Sequence, residues 1–201
     1  MCAETVALNS RSIALVGLMG VGKTTTERRL AKRLDMPFFD SDAEIETASG
    51  RTVKGYFKDH GEAAFRQGER RVIARLLEGE PIVLGTGGGA FIPQDTRDIL
   101  KARSLTIWLK ADFKTNMERV NRQRGKRPLL NVDDPEATMR ALADARYPLY
   151  AKADICVMAG ACSHARTVTR VIDAIREFTN GQSVKDGQPV KSNEDTEGQN
   201  A

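Results

Sequence analysis

An α/β fold around a parallel central sheet is the class this sequence predicts, and two observations carry that prediction. Short apolar, β-branched runs at Ser12 to Val16, Pro37 to Phe39, Pro81 to Leu84, Leu105 to Leu109 and Asp154 to Val157 alternate with longer stretches of helical periodicity, the spacing of βα units. The first run opens onto Gly17-Leu18-Met19-Gly20-Val21-Gly22-Lys23-Thr24, a G-x-x-x-x-G-K-[ST] sequence set between a strand and a helix pattern, the context that gives the motif its meaning. At 201 residues the chain suits one domain with a substantial core.

Residues 1–11 read as a flexible N-terminal tail and residues 12–179 as a single domain. After the first strand, the glycine-rich loop can wrap backbone N–H groups around a polyphosphate, which larger side chains would block. Lys23 then reaches the β- and γ-phosphates, and the Thr24 hydroxyl offers one oxygen to Mg²⁺. The helix that follows, with Leu30 and Leu34 on its apolar side, points its positive end at the same anion. The expected ligand is a nucleoside triphosphate with magnesium, and Gly17, Gly20, Val21, Gly22, Lys23, Thr24 and Thr25 are the candidate contacts.

The second strand leads into Asp40-Ser41-Asp42. Residues just past the carboxyl ends of parallel strands face the ligand crevice, and alternation sends these two carboxylates in similar directions. One can serve the Mg²⁺ shell while the other faces an acceptor hydroxyl; capping of the next helix by Asp40 or Ser41 is the competing role. Glu62 to Glu78 is helix-like, with Phe65, Val72, Ile73 and Leu76 on one stripe, and it carries Arg66. The third strand runs into Gly85-Thr86-Gly87-Gly88-Gly89, where the glycines either admit a ligand close to the backbone or make a turn.

Beyond the fourth strand, Asn121-Arg122-Gln123-Arg124-Gly125-Lys126-Arg127-Pro128-Leu129-Leu130 is a basic stretch containing Gly and Pro between two helix-like regions. Beside a phosphate-binding loop it is expected to be a mobile lid, about residues 121–132, that closes over the γ-phosphate; a solvated connection is the plainer alternative. Arg146, within Ala145-Arg146-Tyr147-Pro148-Leu149-Tyr150, joins Arg66 as a candidate fork for a substrate carboxylate. A last helix is expected from about Cys162 to Phe178, with Val168, Val171, Ile172 and Ile175 facing the core. Residues 180–201 turn to Gly, Gln, Asn, Ser and charged residues, too polar to offset their ordering entropy, and read as a disordered tail.

The formal charge is +4, and the tail holds two lysines against four acids, so residues 1–179 carry +6. That excess need not mean nucleic acid: an anionic nucleotide and an anionic second substrate would also favour clustered Arg and Lys, and there is no long basic run with interleaved aromatics. No run of 18 apolar residues and no basic-then-apolar N-terminus appear, which points to a cytoplasmic protein with no membrane partner. Three cysteines form no disulfide framework. Cys156, Cys162 and His164 lack a fourth ligand at a familiar spacing, so buried thiols near the last strand are the better reading than zinc.

The motifs GLMGVGKT, FFDSD, GEAAFR, LGTGGGA, RPLL and ARYPLY, in this order and at these separations, resemble the shikimate kinase family from about Ile13 to Arg176. The resemblance implies a three-layer α/β/α P-loop fold of the nucleoside-monophosphate-kinase type, with a five-stranded parallel sheet in order 2-3-1-4-5 and a mobile lid. It implies a monomer that phosphorylates the shikimate 3-hydroxyl with ATP and Mg²⁺, giving shikimate 3-phosphate and ADP on the route to chorismate and the aromatic amino acids. Carried over by position, Lys23 serves the phosphates, Thr24 and Asp40 the metal, and Asp42 the acceptor hydroxyls as candidate base. Arg66 and Arg146 grip the shikimate carboxylate, and the backbone of Gly87, Gly88 and Gly89 approaches the ring hydroxyls. Arg127 in the lid touches substrate and γ-phosphate, Arg122 matches an adenine-stacking arginine, and Phe57, Phe65 and Glu69 match positions near the pocket. A gluconate-type kinase and a non-catalytic nucleotide-binding regulator are the alternatives. The triple glycine and paired aspartates favour shikimate over gluconate. Against a GTPase-type switch there is no N-K-x-D sequence, and the sole D-x-x-G, Asp195 to Gly198, lies in the polar tail.

Overall fold

A computed structural model of the chain describes residues 11–122, 134–160 and 162–181. Arg127 and most of the expected lid lie outside the described residues, as do residues 1–10 and 182–201. Five strands, β1 (Ser12–Val16), β2 (Phe38–Asp40), β3 (Val83–Gly85), β4 (Ser104–Lys110) and β5 (Ile155–Met158), form one sheet in the order β2-β3-β1-β4-β5, with every pair parallel. Seven helices are described: α1 (Lys23–Leu34), α2 (Ser41–Ser49), α3 (Val53–Leu76), α4 (Gln94–Arg103), α5 (Phe113–Asn121), α6 (Pro135–Tyr150) and α7 (His164–Thr179).

Strand alternation divides the core into two layers. Ile13, Leu15, Val83, Ile107, Leu109, Ile155 and Val157 turn to one face, where Leu30, Ala31 and Leu34 of α1 and Val168, Val171, Ile172 and Ile175 of α7 cover them. Ala14, Val16, Leu84 and Trp108 turn to the other, against Ile73 of α3, Leu100 of α4, Met117 and Val120 of α5, and Met139, Ala143 and Tyr150 of α6. A sheet covered on both faces explains why its inner strands read as continuous apolar runs. All five residues of central β1 are buried, whereas β2 is half-buried throughout.

Several boundaries differ from the sequence expectation. β2 and β3 begin one and two residues later than expected: the Pro37 and Ile82 carbonyls accept from Val83 and Ile13, while the Ile82 N–H goes to the Ser12 hydroxyl at 3.2 Å rather than to a strand carbonyl. Asp154 precedes β5 and instead accepts from the Thr106 N–H and hydroxyl at 2.9 and 2.7 Å. The helix expected from Glu62 is present, and a further helical stretch precedes it within α3, starting at Val53 and capped by Thr52 through the Gly55 N–H at 3.1 Å; Gly61 (φ 76°, ψ 173°) breaks the helical geometry between the two. Within its expected stripe, Phe65 and Ile73 are buried, while Val72 and Leu76 are half-buried. α7 starts at His164 because Ser163 caps it, accepting from the Arg166 N–H at 3.3 Å. Cys156 and Cys162 are half-buried rather than buried.

Candidate active site

The carboxyl ends of β1, β2 and β3 meet at one edge of the sheet, the edge where open α/β sheets bind ligands. β1 feeds the loop from Gly17 to Gly22, which turns directly into α1. Gly22 adopts φ 92°, and an added Cβ would meet His164 Cε1 at 2.8 Å, so only glycine suits this turn. Lys23 Nζ folds back onto the loop, donating to the carbonyls of Gly17 and Leu18 at 2.7 and 3.3 Å. Arg119 of α5 ties the loop to the segment after β5, donating to Val21 O at 3.1 Å and Gly160 O at 2.9 Å.

Two recesses adjoin across this loop. The first, of about 400 Å³, is lined by Gly20, Gly22, Lys23, Thr24 and Thr25, with Arg119, Arg122 and His164 opposite. Arg122 Nε donates to Glu118 O at 3.4 Å. Gly17 and Val21 are absent from this lining; Val21 packs its side chain into the core and leaves only its backbone for a ligand. The second recess, of about 360 Å³, gathers Asp40, Asp42, Arg66, Gly87, Gly88, Gly89 and Arg146. Phe57, Phe65 and Glu69 also line it. Met19, Lys23 and Thr24 belong to both recesses and form the passage between them.

In the second recess the side chains are held before any ligand arrives. Asp40 ends β2 and caps α2, its Oδ1 accepting from the N–H groups of Asp42 and Ala43 at 3.0 and 3.4 Å. The capping role is therefore realised, and it occupies Oδ1. Arg66 is clamped by Glu69, which accepts from Nη1 at 2.6 Å, and by Glu62 at 3.3 Å, over the faces of Phe57 and Phe65. A Cβ on Gly89 would collide with the Arg66 guanidinium, so glycine is needed there for close approach. Arg146 donates to Gly88 O at 3.2 Å, and the Tyr150 hydroxyl donates to the same carbonyl.

Burial pushes the Asp42 carboxyl above its usual range, and Asp40 adds to the effect against Arg66 and Lys23. Glu69 is raised by burial in the same way, against Arg66. Glu27, 2% exposed, is pushed up to about 8, chiefly by burial and further by Asp40 and Asp42, with Lys23 and Arg28 opposing. Glu27 Oε1 and Glu69 Oε1 are both buried without a hydrogen-bond partner.

Sequence reasoning passed over Glu27, although its signal was present. Glu27 lies three, four and seven residues before Leu30, Ala31 and Leu34, so it is an acid on the buried stripe of α1. Because folding raises its pKa, Glu27 contributes stability that is complete below the unfolded value of 4.5 and is lost as pH rises through about 8. Without ligand, the protein is expected to lose melting temperature across that window more steeply than Glu27→Gln does, measured in parallel thermal scans. Equal slopes would contradict the buried carboxyl.

Comparison with known proteins gives a consistent result. The family model described as shikimate kinase matches residues 19–176. A shikimate kinase of Bradyrhizobium diazoefficiens is 49% identical over 176 residues, covering 88% of this chain and 84% of that protein. The solved structure of the Acinetobacter baumannii shikimate kinase in complex with shikimate superposes with a TM-score of 0.75 at 34% identity, over 90% of this chain and 99% of that one. A gluconokinase from Sinorhizobium meliloti gives a TM-score of 0.57 at 15% identity, over 86% of this chain and 95% of that one, a likeness of fold alone.

Proposed function

The chain belongs to the shikimate kinase family, and from that premise we propose how its two recesses carry out phosphoryl transfer from ATP to the shikimate 3-hydroxyl, giving shikimate 3-phosphate and ADP. The observation that carries the reading is the shared passage at Met19, Lys23 and Thr24. A nucleotide in the first recess points its terminal phosphate through that passage at an acceptor in the second. Phosphoryl transfer asks mainly for alignment and charge stabilisation, and this layout supplies both.

On the nucleotide side, Lys23 exchanges its contacts with the Gly17 and Leu18 carbonyls for phosphate oxygens, and the N–H groups of Gly20 to Thr25 surround the polyphosphate. Arg122 and its neighbour Arg119 face the rest of the nucleotide. The donor set suits Mg²⁺, a hard cation that takes one or two protein oxygens beside phosphates and water. Thr24 and Asp40 would hold it, Asp40 through the oxygen not used as a cap. When bound, the cation neutralises charge on the β- and γ-phosphates.

On the acceptor side, Arg66 and Arg146 grip the shikimate carboxylate, and Gly87 to Gly89 leave room for the ring against their backbone. Asp42 accepts the hydrogen bond of the reacting hydroxyl, orients its oxygen and takes its proton as the phosphoryl group arrives. Glu69 Oε1 accepts from a further ring hydroxyl. Arg127 completes the charge around the γ-phosphate. The reading extends to a cytoplasmic monomer: the three cysteines form no framework, and among the described residues Phe178 is the one large apolar side chain left exposed. No helix of the described residues is long and apolar enough to cross a membrane.

Arg66→Lys tests the acceptor side. One ammonium cannot reproduce a fork that meets Glu69 and a substrate carboxylate together, so the KM for shikimate is expected to rise about tenfold or more with the KM for ATP unchanged, measured by steady-state kinetics. An unchanged shikimate KM would remove Arg66 from the recognition of the acceptor.

A further inference from the structure

Glu27 has no part in the transfer as described so far, yet it lines the acceptor recess together with Lys23, Thr24, Asp40 and Asp42. It lies one helical turn beyond Lys23 and Thr24 on α1, so the three side chains share one face of the helix. Its carboxylate lies over Gly85, the last residue of β3: a Cβ there would come within 2.8 Å of Glu27 Oε2. Gly85 pairs in register with Asp40, which brings the Glu27 carboxylate beside the metal-facing aspartate. The missing Cβ of Gly85 is the space that the carboxylate fills.

A carboxyl group at 2% exposure whose Oε1 has no hydrogen-bond partner is costly to bury unless a ligand completes it. The groups around it sharpen that requirement. Lys23 and Arg28 attract it, Asp40 and Asp42 repel it, and Lys23 is already directed at the phosphates in the reading above. Among the described residues no three acidic, histidine or cysteine groups converge closely enough to hold a metal by themselves. A cation here is completed by phosphate and water oxygens, as magnesium beside a nucleotide usually is.

We propose that Glu27 is an additional acidic holder of the divalent cation that accompanies the nucleotide, acting with Thr24 and Asp40. The inference rests on the functional reading above, which assigns the cation to that corner, and it adds a residue which that reading does not need. Its consequence is a tighter grip on the cation than Thr24 and Asp40 provide alone, reached directly or through a water on the metal.

The test is a Mn²⁺ titration of the full chain with saturating ADP, following the paramagnetic resonance signal of free Mn²⁺. Wild type, Glu27→Gln, Glu27→Asp and Asp40→Asn are compared. Glutamine keeps the shape and removes the charge, so Mn²⁺ affinity of the ADP complex is expected to fall about 10- to 100-fold, with a smaller fall for Glu27→Asp. ADP binding in the presence of a chelator, measured by calorimetry, stays intact in both and shows that the nucleotide recess is formed. A merely structural Glu27 would leave the Mn²⁺ affinity of a correctly folded variant at the wild-type value, and that result overturns the inference. If Asp40→Asn weakens Mn²⁺ binding while both Glu27 variants do not, the Glu27 role falls and the wider reading stands. If wild type with ADP fails to hold Mn²⁺, both fall.

Discussion

Asp42→Asn is expected to lower kcat by about two to four orders of magnitude while ATP binding is retained. The residue lies at the acceptor end of the crevice, where burial and the neighbouring Asp40 already raise its carboxyl above the usual range. Such a group is better matched to receiving a proton than a solvated aspartate, though it stays a weak base, and orientation of the hydroxyl is the larger part of its effect. Asparagine keeps the volume and an acceptor oxygen but cannot take the proton, and its amide can present a donor where an acceptor is required. A Cβ on Gly87 would lie 3.0 Å from Asp42 Oδ1, so glycine at that position leaves the Asp42 carboxyl its room. Steady-state turnover together with nucleotide calorimetry checks the prediction, and near-normal kcat would remove Asp42 from the transfer step.

Lys23→Met should fail in the complementary way. Loss of a charge aimed at the transferring group is worth about two to three orders of magnitude in kcat, and ATP affinity falls with it, whereas shikimate binding persists because the acceptor forks lie on α3 and α6. The ligand-free protein also loses the bonds from Nζ to the Gly17 and Leu18 carbonyls. Gly17 and Leu18 are buried, so a modest fall in melting temperature accompanies the loss of rate. Turnover, ATP binding and shikimate binding measured on one preparation separate this pattern from simple misfolding. Loss of shikimate binding alongside the others would indicate that Lys23 supports the whole crevice rather than the phosphates.

The parts of this molecule that were legible in the sequence are those governed by short-range pattern. The five apolar runs specify strands because a sheet covered on both faces needs them apolar throughout, and the glycine-lysine-threonine loop specifies its own strand-to-helix context. The order of the strands came from likeness to a family, since periodicity carries no information on which strand neighbours which. Boundaries slipped where backbone pairing and side-chain capping decide them: Thr52 and Ser163 set helix starts that an apolar stripe does not mark. Arg66 and Arg146 were identifiable as candidate forks, but not the Glu69 clamp or the Gly88 carbonyl that hold them, because those contacts depend on α3, α6 and the β3 loop meeting in space. Glu27 was the missed residue of greatest consequence. Helical phase places it on the buried side of α1, and only the position of Gly85 and Asp40 above it turns a misplaced acid into part of the crevice.

The most direct measurement of the central claim is ADP release from Mg-ATP in a coupled assay with shikimate, with gluconate and with no acceptor. Rapid release with shikimate alone is the expected result. Equal release with gluconate, or none with shikimate, would contradict the claim that the recess formed by Asp42, Arg66, Gly87 to Gly89 and Arg146 is built for shikimate.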